Sequence, residues 1–251
     1  MLVLYDVVVF VEDGSPQKYA IVKDWDTEAQ EKEFHERAEL ERTTRILTIK
    51  QTVKRICEVY DYANVSGLTV RFFNQNRGRK NVTPSKCDFL DGLKLQGLLR
   101  FGTELKRKIL DPFVGQDCQM EKPLLVIVLA SGEVEGEKTG LLEHVIINCL
   151  ANCVADPEKG RGVVEFQFAQ VGRDIDQAAT SLRNLDNDVR VGDRVSCLLR
   201  PGLDGIGDPG LKWQIVYHGY CSARSQVIGT MPLSLWAMLI MDFLSTILRM
   251  S

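Results

Sequence analysis

The stretch from Pro123 to Gly132, P-L-L-V-I-V-L-A-S-G, constrains the fold more than any other part of the chain. Seven apolar residues follow the proline without alternation and without a charge, the pattern of a strand buried on both faces of a parallel sheet. Such a strand needs helices above and below it. The flanking sequence supplies apolar residues at helical spacing in Gly102 to Asp111 and again in Gly140 to Val154. The turn Ala130-Ser131-Gly132 then falls at the carboxyl end of a central strand, where open α/β sheets place their ligand sites.

The remaining chain fits that frame. Leu2 to Val11 reads as the first strand, stopped by the turn-rich Glu12-Asp13-Gly14-Ser15-Pro16. Residues 24–42 are crowded with Glu, Lys and Arg and carry few apolar anchors, which predicts a solvated insertion or an exposed helical extension, with His35 at its surface. From Ile46 the pattern changes. Ile46, Ile49, Val53, Ile56, Cys57 and Tyr60 recur at helical spacing and define one buried face, ending near Tyr62. Leu68 to Phe73 predicts a second strand, followed by the polar N-Q-N-R-G-R-K-N, where the basic Arg77-Gly78-Arg79-Lys80 reads as a solvated loop.

Helical character is expected around Pro84 to Leu99, with Ser85 a candidate cap before Asp88. A helix opened by Gly102-Thr103 and closed with the help of Pro112 comes next. After the central strand and its helix, Val163 to Val171 alternates as a strand, 173–185 has helical spacing, and Val191 to Leu199 predicts an edge strand. The expected fold class is therefore α/β, a doubly wound three-layer α/β/α Rossmann-like sheet, mostly parallel, over residues 1–199. Residues 200–251 read as an irregular extension with a short strand at Trp213 to Tyr217, ending in an apolar helix at 232–250. Within that helix, polar residues including Asp242 and Arg249 gather on one side. A membrane-spanning helix would hold Asp242 near its centre at a cost of about 3 kcal/mol, so docking on the domain or at an interface is expected ahead of a tail anchor.

Composition narrows the functional classes. A net charge of −3 over 251 residues gives no electrostatic basis for nucleic acid or anionic membrane as a general partner. Seven cysteines form an odd number without a C-x-x-C pair, and Cys57, Cys149, Cys153 and Cys197 sit in apolar stretches. They read as reduced core thiols of a cytoplasmic protein. The sequons at Asn64 and Asn81 matter only in a secreted chain, and the first residues read as a strand rather than a signal peptide.

Three turns should meet at the carboxyl edge: Glu12 to Pro16, Leu98 to Thr103, and Ala130 to Lys138. No G-x-G-x-x-G follows the first strand. The loop Gly132 to Thr139 stands where a phosphate-binding loop would, but its glycine spacing is wrong and its three glutamates would repel phosphate. No G-x-S-x-G elbow is present, and His35, His144 and His218 assemble no triad from sequence. The acidic and hydroxyl groups Glu12, Asp13, Ser15, Ser131 and Glu133 suit a hard divalent cation held through oxygen, and are equally ordinary turn residues.

Several segments, in their order and spacing, resemble a von Willebrand factor A domain of the stand-alone fungal or bacterial kind. They are Y-D-V-V-V-F-V-E-D-G-S at Tyr5 to Ser15, G-L-T-V-R-F-F-N at Gly67 to Asn74, F-G-T-E-L-K at Phe101 to Lys106, K-P-L-L-V-I-V-L-A-S-G-E at Lys122 to Glu133, and F-Q-F-A-Q-V-G-R-D at Phe166 to Asp174, with L-R-N-L-D-N-D following. The resemblance spans roughly Leu2 to Val195. It implies a metal-ion-dependent adhesion site built from Asp-x-Ser-x-Ser after the first strand, a threonine from a middle loop and an aspartate after the central strand, with an open metal position for a partner's carboxylate. In this chain Glu12 or Asp13 stands for the first aspartate, Ser15 for one serine, Leu99 for the threonine and Ser131 for the last aspartate. Leucine cannot coordinate an ion, and the lost aspartate removes a full charge, so the resemblance implies a decayed site.

The expectation is a non-catalytic, cytoplasmic protein-interaction module without a cofactor, its rim formed by Glu12, Asp13, Ser15, Leu99, Ser131 and Glu133. Weak Mg²⁺ or Mn²⁺ binding through Asp13, Ser15 and Glu133 stays open. Two readings from other classes stand beside it: an α/β enzyme with a hydrolytic or phosphate-related site, and an adaptor attached to a membrane through 232–250.

Overall fold

A computed structural model describes residues 6–14, 27–61, 67–76, 78–115, 122–131, 134–155, 164–171, 184–185, 187–191 and 194–198. Ser15, Glu133, most of the expected helix at 173–185, the strand at Trp213 to Tyr217 and the helix at 232–250 lie outside the described residues.

Six strands form one sheet: β1 (Asp6–Val11), β2 (Leu68–Phe72), β3 (Arg79–Val82), β4 (Leu124–Ala130), β5 (Val164–Gln170) and β6 (Val195–Leu198), in the order β3-β2-β1-β4-β5-β6. All pairings are parallel except β2 with β3. The fold is thus α/β with a mostly parallel sheet. β4 lies between β1 and β5 and all seven of its residues are buried, as the unbroken apolar run predicts.

Two apolar clusters divide the strand residues by parity. Val8, Phe10, Val126, Val128, Phe166 and Phe168 share one cluster with Phe101, Leu105, Ile109, Val145, Ile146 and Leu150. Val7, Val9, Val11, Val70, Leu125, Ile127 and Leu129 share the other with Ile49, Val53, Ile56 and Cys57. Alternate side chains of a strand point to opposite faces, so each central strand feeds both clusters.

The helices correct several boundaries. α1 (Glu28–Asp61) is a single helix of 34 residues, about 50 Å long. Charged residues 28–42 are therefore the first half of the same helix whose second half packs Ile49, Val53 and Ile56 on the sheet, the exposed-extension alternative rather than an inserted loop. Arg79 and Lys80, expected in a loop, belong to edge strand β3, where solvated charge keeps further strands from pairing. Pro84 to Leu99 yields two short 3₁₀ turns, Pro84–Lys86 and Asp88–Gly92. Ser85 lies inside the first of them and caps nothing.

α2 occupies 101–114 and passes through Pro112 instead of closing there. A π-helical stretch at Lys106–Leu110 precedes the last turn, Asp111–Val114, which contains the proline. α3 (Leu141–Ala155) follows β4 as expected. β5 forms where the alternating stretch predicts a strand, with Glu165, Gln167 and Gln170 all buried beside their apolar neighbours. β6 stands at the sheet edge, as expected, but only over Val195–Leu198, and Val191 precedes it in a turn.

Candidate functional site

The sheet order reverses between β1 and β4, because the chain leaves β1 for β2 on one side and returns to β4 on the other. The crevice outside the carboxyl ends of two such strands is where doubly wound sheets bind ligands. Here it is filled by the protein's own groups. Glu12, the first residue after β1, is fully buried and reaches across to Ser131, the first residue after β4. The Ser131 backbone N–H donates to Glu12 Oε2 at 2.7 Å, and its hydroxyl lies 3.0 Å from both carboxylate oxygens. Arg45 of α1 closes the network. Its guanidinium forms an ion pair with Glu12 Oε1 and donates to the Gly14 carbonyl at 3.3 Å, with its side chain 8% exposed.

Asp13 faces a different set of donors. Its Oδ1 accepts from the Asn74 backbone N–H at 2.6 Å and the Asn74 side-chain amide at 3.3 Å, and Oδ2 accepts from the Gln75 N–H at 3.1 Å. Burial pushes the Asp13 carboxyl above its ordinary value of 3.8, against the lowering effect of those amide donors. The loop after β2 that carries Asn74 and Gln75 is itself pinned. Lys108 of α2 donates to the carbonyls of Phe72 (2.8 Å), Phe73 and Gln75 (3.0 Å). Burial lowers the Lys108 ammonium below its usual value, while Glu104 at 3.4 Å acts in the other direction. Beneath the loop, stacked Phe10 and Phe73 (centroids 4.3 Å apart) continue to Phe101 and Phe168, an aromatic floor under the carboxyl edge.

Leu99 is fully buried, and its carbonyl accepts from the Glu135 N–H at 3.1 Å. Its side chain lies against Gly14 so closely that a Cβ there would overlap Leu99 Cδ2. Leu99 thus presents a methyl group packed on backbone, and its side chain has no oxygen to offer at this edge. The loop 134–138 also behaves differently from a phosphate cradle. It brings Glu137 to the N-terminus of α2, where the carboxylate accepts from the Gly102 N–H (2.8 Å), the Thr103 N–H (2.9 Å) and the Thr103 hydroxyl (3.0 Å). The loop supplies an anion to a helix end instead of receiving one, and Gly102 fits because its bare Cα lies against the Leu142 backbone.

The structure therefore brings together Glu12, Asp13, Leu99 and Ser131 of the rim read from sequence. The groups that surround them, Arg45, Asn74, Gln75, Lys108 and Gln170, went unread. Gln170 donates to the Ser131 carbonyl at 3.3 Å. Only Arg45 left a trace in the sequence, as a cation one helical turn before Ile49 on the same stripe as Val53 and Ile56. His35 lies within 3.8 Å of Glu31 on the exposed part of α1, and His144 pairs with Asn148 on α3.

These residues fit a divalent cation poorly. Glu12 already faces a guanidinium and Ser131, Asp13 already accepts backbone N–H groups, and Leu99 has no donor atom. No group of three or more His, Cys, Asp or Glu that could hold a metal ion occurs among the described residues. No helix among them is long and apolar enough to cross a membrane.

No family model matches the sequence, and no curated protein matches it. Among solved structures, the chain is similar to proximal thread matrix protein 1 (PTMP1) from the mussel byssus, with a TM-score of 0.45 and 15% identity. The likeness covers 85% of this chain and 48% of that one, so the chain spans about half the length of the protein it matches. A likeness that loose carries no inference about fold or function.

Proposed function

We propose that the protein is a non-catalytic interaction module of von Willebrand A-like, three-layer doubly wound fold, whose partner docks on the carboxyl edge of the sheet and whose metal site has decayed. The observation that carries this reading is the Glu12–Arg45–Ser131 network at the switch point, where an internal cation compensates the carboxylate that a metal would otherwise need. A guanidinium takes its neighbours' charge without offering an open coordination position, so recognition at this edge proceeds through side chains and loop backbone. Exposed Val134 and Arg100 stand on the rim for that purpose. The same network weakens the hydrolytic reading, since a carboxylate tied to Arg45 is a poor base for the Ser131 hydroxyl it touches. The buried thiols of Cys57 and Cys153 suit the cytoplasm.

The test is binding with and without metal. Calorimetric titration with millimolar Mg²⁺ or Mn²⁺ should give no saturable heat, and a partner captured by the wild-type protein should stay bound in excess EDTA. It should be lost in a Val134→Arg, Arg100→Glu variant whose circular dichroism is unchanged. Saturable heat that disappears in Asp13→Ala, or release of the partner by EDTA, would overturn the decayed-site reading.

A further inference from the structure

Arg45 sits beside Glu12 at the end of β1, and Ile49, Val53 and Ile56 follow it onto the sheet, so the part of α1 before Arg45 projects past the carboxyl edge as roughly 25 Å of helix. Its outward face carries a stripe at seven-residue intervals: Glu33, Leu40, Leu47 and Lys54. Leu47 lies about 200° around the helix from buried Ile49, so this stripe faces away from the sheet. Leu40 is 66% exposed and Leu47 is 52% exposed, two of the large apolar residues the described surface leaves open. Exposed leucines are ordinary one at a time; what sets this pair apart is its place in a heptad-spaced stripe flanked by opposite charges.

We infer that this stripe is the contact by which two copies of the chain associate through antiparallel α1 helices. The stripe is acidic at its start, apolar in the middle and basic at its end. Laid antiparallel on a second copy about a two-fold axis near Thr43, Leu40 meets the partner copy's Leu47, and Glu33 meets the partner copy's Lys54, twice by symmetry. A parallel arrangement would set Glu33 against Glu33 and Lys54 against Lys54. Because the stripe points away from the sheet, the two bodies fall on opposite sides of the helix pair, and each projecting arm lies over the half of α1 that its partner anchors. One helix pair with two leucine contacts is a small interface, so the dimer is weak, with Kd on the order of 10–100 µM. This inference is independent of the metal-site reading, which concerns the opposite surface of Arg45.

Sedimentation equilibrium of the full 251-residue chain from about 5 to 500 µM tests it. Leu40→Glu and Leu47→Glu, both at exposed positions, should each weaken association about tenfold or more. Glu33→Lys should weaken it several-fold, on the order of 3 to 10 times, and the double variant Glu33→Lys, Lys54→Glu should restore wild-type affinity within about twofold. A wild-type chain that stays monomeric across the range overturns the proposal. So does a dimer indifferent to both leucine changes, or a Glu33→Lys variant that associates more tightly.

Discussion

Two charged regions meet at Arg45 and obey opposite rules. Above it, the projecting half of α1 holds Glu28, Glu31, Glu33, Glu36 and Glu39 among Lys32, Arg37 and Arg42 in water, with pairs such as Arg42–Glu39 at 3.0 Å well exposed on both sides. Below it, Glu12 and Arg45 form a single pair inside the protein. Solvated charges are interchangeable because water screens them, and an exposed pair is worth at most about 1 kcal/mol. A buried charge depends on its own counter-ion, and removing that partner leaves an ion where solvation is poor. The density of charge in a segment therefore says little about what each charge does; burial says more.

Removing one member of the buried pair should produce the largest effect. Glu12→Gln or Arg45→Met is expected to cost about 3–5 kcal/mol in urea unfolding, and the Glu12→Gln, Arg45→Met double variant clearly less than the sum. Additive costs would show that the two side chains do not depend on each other. Next comes steric closure of the same rim. Gly14→Ala forces a methyl onto Leu99 and should lose about 1–3 kcal/mol in the wild-type background, but well under that when introduced into Leu99→Ala, which is itself destabilised by the loss of a fully buried side chain. Glu137→Ala strips the carboxylate from the α2 N-terminus and should cost about 1–2 kcal/mol, read from the same unfolding curves.

Asp13 should leave a pH signature. Its folded pKa lies above 3.8, so the folded chain holds that proton more tightly than the unfolded chain. The stability it contributes is full below pH 3.8 and declines as pH rises through the folded value. Unfolding free energies of the wild type and Asp13→Asn, compared across the weakly acidic range, should differ in slope with that sign. The smallest effect belongs to the arm: Lys32→Ala or Glu39→Ala should stay within about 0.5 kcal/mol. A loss comparable to that at Arg45 would mean the arm is buried against something in solution.

Much of the fold was legible because it rests on local patterns. The run from Leu124 to Ala130 announced a central strand, and Ile49, Val53 and Ile56 announced the sheet-facing stripe of α1. Where the reading failed, a longer-range effect overrode the local one. Arg79 and Lys80 look like loop residues until β2 offers them an edge to pair with. The alternation from Val163 to Val171 did mark β5, but not that Glu165 and Gln167 would be buried in it. Pro112 looks like a stop, yet the π-helical turn before it lets the helix pass.

The amino-acid order alone determined most of the segments that extend or coil, and that Glu12, Asp13 and Ser131 would stand at strand ends, because hydrophobic periodicity and turn chemistry act over a few residues. Only the tertiary structure decided what those groups mean. Arg45 is 33 positions from Glu12 by number and in ion-pair contact with it in space. A carboxylate in water, beside a metal or against a guanidinium is the same letter in a sequence, and the difference lies in the electrostatic surroundings that folding assembles.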